Sequence, residues 1–211
     1  MITDDQHRGD CLGIEGHPVL STPNLDWIGA SGTTSGAASE VLSCIAARRI
    51  LLTGMNQDHT GLVGYRDNLT GTRPRRSAAC WRRRATGRSS AANSIWRPTV
   101  SAYGFQNMVW SDGYGGGCDY EAYLVREGQD EPQARLSHGV DVNGWVGRPW
   151  HLEERYTYTY WTASESVRFL ETRDLSCPFF LHTSMVDPHP PLTPPQSSTT
   201  TGIWSWTCPR R

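Results

Sequence analysis

The sequence predicts an α/β fold, with a sheet flanked by helices, from three local patterns. The chain opens on a short apolar stretch that runs into Asp4 and Asp5, as a strand does at its carboxyl end. A second apolar stretch, 178–186, has the length of a buried strand. Before it, 161–173 interleaves apolar and charged residues, as an amphipathic helix does. The chain is therefore predicted to contain both strands and helices, and its first strand ends in two acidic residues.

Composition excludes several classes of protein. A chain of 211 residues can bury a core and form one domain or two small ones. Its 20 cations, all arginine, nearly balance 21 acidic residues, so the net charge predicts no polyanionic partner. The six cysteines lack Cys-x-x-Cys spacing, which argues against a zinc site or a dense disulfide framework. No segment is apolar enough to span a bilayer, and the amino terminus has no basic-then-apolar signal, so the default expectation is a cytoplasmic protein.

The first strand end predicts a metal site. In open α/β sheets, ligands bind at the carboxyl ends of strands, where Asp4 and Asp5 stand. Adjacent carboxylates suit a hard divalent cation such as calcium, because oxygen ligands offset the loss of its hydration shell. A solvated turn is the alternative interpretation of the same two residues.

Two helices are predicted next. Pro23 is well placed to open one, with Thr22 as the candidate cap. In the segment 43–54, Cys44 and Arg48 are four residues apart, so on a helix they share a face. A cation beside a thiol favours the thiolate, which predicts a reactive cysteine. The alternative is a small buried cysteine with a surface arginine.

The last predicted elements are a helix and a strand that leads to a histidine. In 161–173 the apolar residues Val167, Phe169 and Leu170 lie among charged ones, which predicts an amphipathic helix. The strand 178–186 ends just before His189, in a loop rich in proline. A histidine at a strand end is a candidate for a functional role, and a loop histidine held by prolines is the alternative.

These segments together resemble the sulfatase family. Cys44 and Arg48 fit the signature Cys-x-(Pro/Ala)-x-Arg, and Leu-Leu-Thr-Gly follows as it does in that family. The family also opens with a strand ending in Asp-Asp-Gln, begins its first helix with Thr-Pro-Asn-Leu-Asp, and delivers a Pro-His-x-Pro histidine after a later strand. The resemblance covers 1–69, 102–175 and 177–196.

The resemblance implies a fold and a mechanism. The fold would be an alkaline-phosphatase-like mixed sheet flanked by helices, present here as an incomplete amino-terminal part. The activity would be hydrolysis of a small-molecule sulfate ester by formylglycine, which a sulfatase-maturing enzyme forms from Cys44. Arg48 would hold the hydrated aldehyde and His189 would contact the sulfate. Asp4, Asp5 and the modified Cys44 would bind Ca²⁺, and no membrane partner is implied.

Two segments depart from the family, 70–101 and 197–211. Seven of the sixteen residues in 73–88 are arginine, and no helix or strand period is visible there. We interpret both segments as irregular sequence that is translated out of frame. The reason is that codons chosen for 93–99, when read one nucleotide earlier, can encode Gly-Lys-Leu-His-Leu-Ala-Pro-Asn. Sulfatases carry a Gly-Lys-x-His segment at this place, and the same shift gives family-like sequence for 199–209.

Two other functions stay open. One is hydrolysis of phosphonate or phosphate monoesters within the same superfamily, because sulfate and phosphate esters are both tetrahedral anions. The other is a non-catalytic fragment that uses the basic segment 73–88 for interaction; no nucleic-acid recognition motif surrounds that segment. Calcium requires about six to eight oxygen ligands, and further ligands of the family fall beyond this sequence, so we expect little or no turnover from it alone.

Overall fold

Four parallel strands form the sheet. The computed structural model describes residues 1–36, 44–61, 63–64, 105, 107–111, 117–129, 139–141 and 144–195, and the backbone of 87–93. The strands are β1 (Ile2–Thr3), β2 (Gly87–Asn93), β3 (Asn107–Ser111) and β4 (Phe179–Ser184). Their order in space is β1-β4-β2-β3, and every pair is parallel. The expected α/β class is therefore confirmed.

The register of β1 against β4 fixes where the predicted site residues lie. Thr3 pairs with Ser184, the last residue of β4. The backbone N–H of Met185 then donates to the carbonyl of Thr3 at 2.7 Å, so pairing continues just past the strands. Because both strands point the same way, the residues that follow them emerge at one edge of the sheet. This edge carries Asp4, Asp5 and the loop with His189.

Five α-helices and one 3₁₀ helix accompany the sheet in the described residues. They are α1 (Pro23–Ala30), α2 (Cys44–Thr53), α3 (Gln57–Thr60), α4 (Asp119–Arg126), a 3₁₀ helix (Glu154–Tyr156) and α5 (Tyr158–Thr172). Within these residues, no helix combines the length and the hydropathy that crossing a bilayer requires.

The helix at Pro23 begins where the sequence predicts, but its cap works differently. Thr22 occupies the cap position, and its hydroxyl makes no bond to a helix amide. It donates instead to Asp26 Oδ1 at 2.7 Å and accepts the backbone N–H of Gly13 at 2.8 Å. Asp26 also accepts the N–H of Ile14 at 2.8 Å. These bonds tie the start of α1 to the preceding loop.

The helix predicted over 161–173 is present as α5, and its fully buried residues are not the apolar ones of the sequence pattern. Val167 and Leu170 are 51% and 40% exposed, whereas Trp161, Thr162 and Ser166 are buried. The reason lies in the contact with β4, where Ser166 Oγ is 2.9 Å from Thr183 Oγ1. Small hydroxyl side chains let the helix approach the strand closely, and they satisfy each other's hydrogen bonds.

The main core is aromatic and packs α4 against α5. Tyr120 and Leu124 of α4 are buried with Trp150, Tyr156 and Trp161. Tyr120 and Trp161 meet edge to face with ring centroids 5.3 Å apart, and the Tyr120 hydroxyl donates to the carbonyl of Tyr156. Such pairs add stability beyond the apolar area that they bury. This core lies on the β3 side, because β3 contacts α4.

The strand β2 corrects part of one prediction. Gly87–Asn93 lies inside 70–101, where the sequence pattern predicts irregular structure, yet it forms the strand between β4 and β3. Backbone pairing on both sides supplies the hydrogen bonds that a weak strand former needs. Apart from this strand and Phe105, the segments 65–106 and 196–211 lie outside the described residues. The out-of-frame interpretation therefore stays a prediction, as does a role for the basic segment.

Candidate active site

The helix α2 carries the two residues of the sulfatase-like signature. It begins at Cys44, with Arg48 one turn later, and ends at Thr53. Ile45, Arg49 and Thr53 are buried, at the four-residue spacing of one helix face. Gly54 follows with φ of +65°, a left-handed conformation that favours glycine, and its N–H closes the last turn on Ile50 O at 2.8 Å.

Arg48 joins the ends of two strands. Its Nη1 donates to Ser184 Oγ at 2.7 Å, and its Nη2 donates to Asp5 Oδ2 at 3.0 Å. The side chains of Arg48 and Asp5 are only 14% and 9% exposed, and Ser184 is fully buried. A buried guanidinium is tolerated when hydrogen bonds satisfy it, and its planar donors hold it in one orientation. The structure therefore brings Asp5, Arg48 and the end of β4 into one cluster.

The environment of Cys44 corrects the expectation of a thiolate. Burial raises the pKa of the Cys44 thiol, the charge of Asp5 raises this pKa further, and Arg48 lowers it by less. The cation is thus already committed to Asp5, and its field at the sulfur is partly cancelled. Cys44 is held as a neutral, half-buried thiol next to Ile45 and Ala46.

Asp4 and Asp5 bind different side chains. Asp4 accepts a hydrogen bond from His7 Nδ1 at 2.6 Å, and its side chain is 45% exposed. The other ring nitrogen of His7 donates to the carbonyl of Cys11 at 3.1 Å. Burial alone would lower the pKa of His7, but these two acceptors raise it. Asp5, in contrast, accepts its hydrogen bond from Arg48.

His189 lies beyond the same edge of the sheet, in a tightly bonded loop. It is 8% exposed, and its N–H donates to Val186 O at 2.9 Å. Its Nδ1 donates to the carbonyl of Pro190 at 2.6 Å, because a carbonyl can only accept. In the neutral ring, Nε2 is then the nitrogen that can accept a bond. The structure places His189 at the predicted edge, in a fixed orientation.

The described residues do not complete a calcium site. They contain no group of three or more His, Cys, Asp or Glu side chains placed to share a metal ion. Asp5 is bound to Arg48 and Asp4 to His7, so each expected ligand already has a cationic or hydrogen-bonding partner within the chain. Two carboxylates alone supply too few oxygens for calcium.

Sequence reasoning missed two residues beside Arg48, His182 and Ser184. Both lie in β4, and His182 is 5% exposed with Nε2 3.1 Å from Thr3 Oγ1. Burial and the nearby Arg48 lower the pKa of His182 to about 4, so its ring is neutral at physiological pH. The sequence predicted this segment as a buried strand because of its apolar start. No motif singled out the polar residues at its end.

Comparison with known proteins now identifies the relatives. The chain is 36% identical to an arylsulfatase of Clostridium perfringens, in an alignment that covers 93% of this chain and 44% of the relative. Most of the chain is therefore similar to less than half of an arylsulfatase. No family model matches the sequence.

Solved structures show a similar fold. The phosphonate monoester hydrolase of Agrobacterium radiobacter superposes with a TM-score of 0.60 at 24% identity, over 92% of this chain and 42% of that one. A protein solved with its substrate D-glucosamine-2-N,6-O-disulfate gives a TM-score of 0.56 at 18% identity, over 90% of this chain and 34% of that one. The chain therefore shares the fold of these two proteins, and it spans less than half the length of each relative.

Proposed function

We propose that this chain carries the nucleophile-bearing part of a sulfuric ester hydrolase site, with a formylglycine derived from Cys44. The observation that supports this most directly is the Arg48 cluster. The helix that begins at Cys44 places Arg48 on Asp5 and Ser184, so the signature residues and the Asp-Asp strand end meet in space. The 36% identity to an arylsulfatase supports the same class of reaction.

The position of Cys44 fits such a modification. It is the first residue of α2 and is half-buried. Its side chain is therefore still accessible to a modifying enzyme. Because its pKa is raised by burial and by Asp5, the thiol resists spontaneous oxidation at neutral pH. A sulfatase-maturing enzyme is therefore the proposed partner. The formylglycine, once formed, supplies the hydroxyl nucleophile of a hydrated aldehyde.

Arg48 and His189 are proposed to act on the sulfate ester. Arg48 provides a fixed cation one helical turn from Cys44, where it stabilises negative charge that develops during the reaction. The two bonds that orient its guanidinium remove the need to reorganise it at that moment. His189 offers Nε2 to the ester, since Nδ1 is engaged by Pro190. The substrate class is a small-molecule sulfate ester.

Calcium remains a proposal that needs ligands from outside the described residues. The carboxylate oxygens of Asp4 and Asp5 suit the ion, but both side chains are already paired within the chain, so no step is assigned to calcium. Calorimetry tests whether the ion displaces these partners: titration with CaCl₂ should show no tight site in this chain. Tight binding that Asp5→Asn abolishes would show instead that Asp5 leaves Arg48 for the ion.

The alternative reaction is hydrolysis of phosphonate or phosphate monoesters. One of the similar structures is a phosphonate monoester hydrolase, and its fold is the same. We favour the sulfate ester because the arylsulfatase is the relative with the higher identity.

The test compares esters and a matched variant. The protein is coexpressed with a formylglycine-generating enzyme, purified, and assayed on an aryl sulfate, an aryl phosphate and an aryl phosphonate. Any turnover should be highest on the sulfate and should vanish in Cys44→Ala. A rate that survives in Cys44→Ala would contradict the role of Cys44, and a preference for the phosphonate would favour the alternative.

A further inference from the structure

The loop that holds His189 is attached to the fold through Asp187. Thr159 Oγ1, in the first turn of α5, donates to Asp187 Oδ2 across 28 residues of sequence. Asp187 is two residues before His189, and no sequence motif singled it out. This bond is the side-chain link that the described residues show between the loop and α5.

The end of a helix is a favourable place for this carboxylate. The first turn of α5 carries unpaired backbone N–H groups and the positive end of the helix dipole. One of those groups is already satisfied, because Thr157 accepts the N–H of Tyr160 at 3.2 Å. Asp187 adds a negative charge beside the same turn, so both the hydrogen bond and the dipole favour its position.

The other contacts of the loop fix its two ends and close its turn. The start of the loop is fixed by Met185 N–H on Thr3 O at 2.7 Å, and Val186 is buried. Its far end is fixed because Pro191 is fully buried and the N–H of Arg148 donates to Leu192 O at 2.9 Å. Between these points, the N–H of His189 closes the turn on Val186 O at 2.9 Å, and the Asp187 side chain ties that turn to α5.

We propose that Asp187, held by Thr159, is a positioning residue that sets the orientation of His189 toward the anionic ester. This inference rests on the proposed function, in which His189 contacts the sulfate. It assigns no chemical step to Asp187, whose carboxylate acts only through the loop. We call the hydrogen-bonded pair Thr159–Asp187 the clamp.

The pair Thr159→Val and Thr159→Ser tests the clamp with little change in volume. Valine removes the hydroxyl donor and keeps the shape, whereas serine keeps the donor and loses one methyl group. Nitrogen-15 NMR of the histidine rings reports on His189 directly, and the same samples are titrated with inorganic sulfate. We expect the His189 ring signals to shift or broaden in Thr159→Val and to stay near the wild type in Thr159→Ser.

The sulfate titration gives the magnitude. A hydrogen bond to a charged group typically changes an equilibrium by about tenfold or more, so sulfate affinity should fall about tenfold in Thr159→Val. Asp187→Asn, which removes the charge, should have a similar effect, and circular dichroism checks that each variant is folded. Unchanged His189 signals in folded Thr159→Val and Asp187→Asn would overturn the proposal.

The two proposals fail in different ways. If wild-type protein shows no sulfate-dependent change at His189, its role in sulfate binding is wrong, while the ring signals in the variants still test the clamp. If sulfate binds at His189 and both variants bind it as well as the wild type, the clamp is wrong and the sulfate-binding role stands.

Discussion

Acidification should destabilise this protein through His182. This residue is 5% exposed at the end of β4, and burial together with Arg48 lowers its pKa to about 4 from the ordinary 6.5. In the unfolded chain the ring takes up a proton below pH 6.5, whereas in the folded protein it does so only near pH 4. The native state therefore binds fewer protons between these values, and stability falls as the pH falls through them.

The magnitude follows from the two pKa values. At pH 7 both states are neutral and the stability is fully present. At pH 5 the unfolded ring is almost fully protonated and the folded ring is not, which costs about 2 kcal/mol, with a limit of about 3 kcal/mol near pH 4. A loss of this size is a large fraction of the stability of an ordinary domain.

The assay is urea unfolding at pH 7 and pH 5, on the wild type and on His182→Gln. Glutamine can keep a hydrogen bond to Thr3 but does not titrate, so other groups that titrate in this range cancel in the comparison. The wild type should lose about 2 kcal/mol more than the variant on going to pH 5. An equal loss in both proteins would refute the assignment of this pH dependence to His182.

Three further predictions concern the cluster, the core and the gene. Arg48→Ala should lower the free energy of unfolding in urea by about 3 to 5 kcal/mol, because it leaves the buried Asp5 without its cation. Adding Asp5→Asn should recover part of this loss, and purely additive effects of the two substitutions would contradict the coupling. Tyr120→Phe should cost about 1 kcal/mol, because the Tyr156 carbonyl loses its donor inside the core; thermal melting with no change in Tm would argue against that bond. Sequencing the DNA that encodes 70–103 and the region beyond 196 should reveal one-base shifts that restore a sulfatase-like frame, and an unbroken frame there would remove that explanation.

The sequence predicted the elements that have a strong local signal. Pro23 opens α1 because its missing N–H and fixed φ suit a first helical position. The apolar start of β4 and the charged periodicity of α5 likewise located these elements to within a few residues. Local patterns of this kind act over one or two turns, so they are visible without knowledge of the fold.

The arrangement of the site needed the tertiary structure. Nothing in the sequence shows that Arg48 reaches Ser184, because that contact joins residues 136 positions apart. The same contact network decides that Asp5 raises the pKa of Cys44, whereas the local four-residue spacing predicted the opposite. The partners of the two carboxylates, His7 for Asp4 and Arg48 for Asp5, likewise appear only in the structure.

The strand β2 was missed for a different reason. Its residues are mostly small, and they have neither the alternation nor the β-branched content that marks a strand. It forms because β3 and β4 offer backbone partners on both sides. In such a case the neighbouring strands supply the preference that the local sequence lacks.

The mass of the peptide that contains Cys44 tests the central claim most directly. The chain is coexpressed with a formylglycine-generating enzyme, and a control protein that carries an established sulfatase signature is coexpressed in the same way. The chain and the control are then digested, and their peptides are analysed by mass spectrometry. The account predicts that the Cys44 peptide becomes lighter, as conversion of a thiol to an aldehyde requires, and that it then reacts with a hydrazide. An unmodified Cys44 peptide in cells that convert the control would contradict the assignment of Cys44 as the precursor of the catalytic aldehyde.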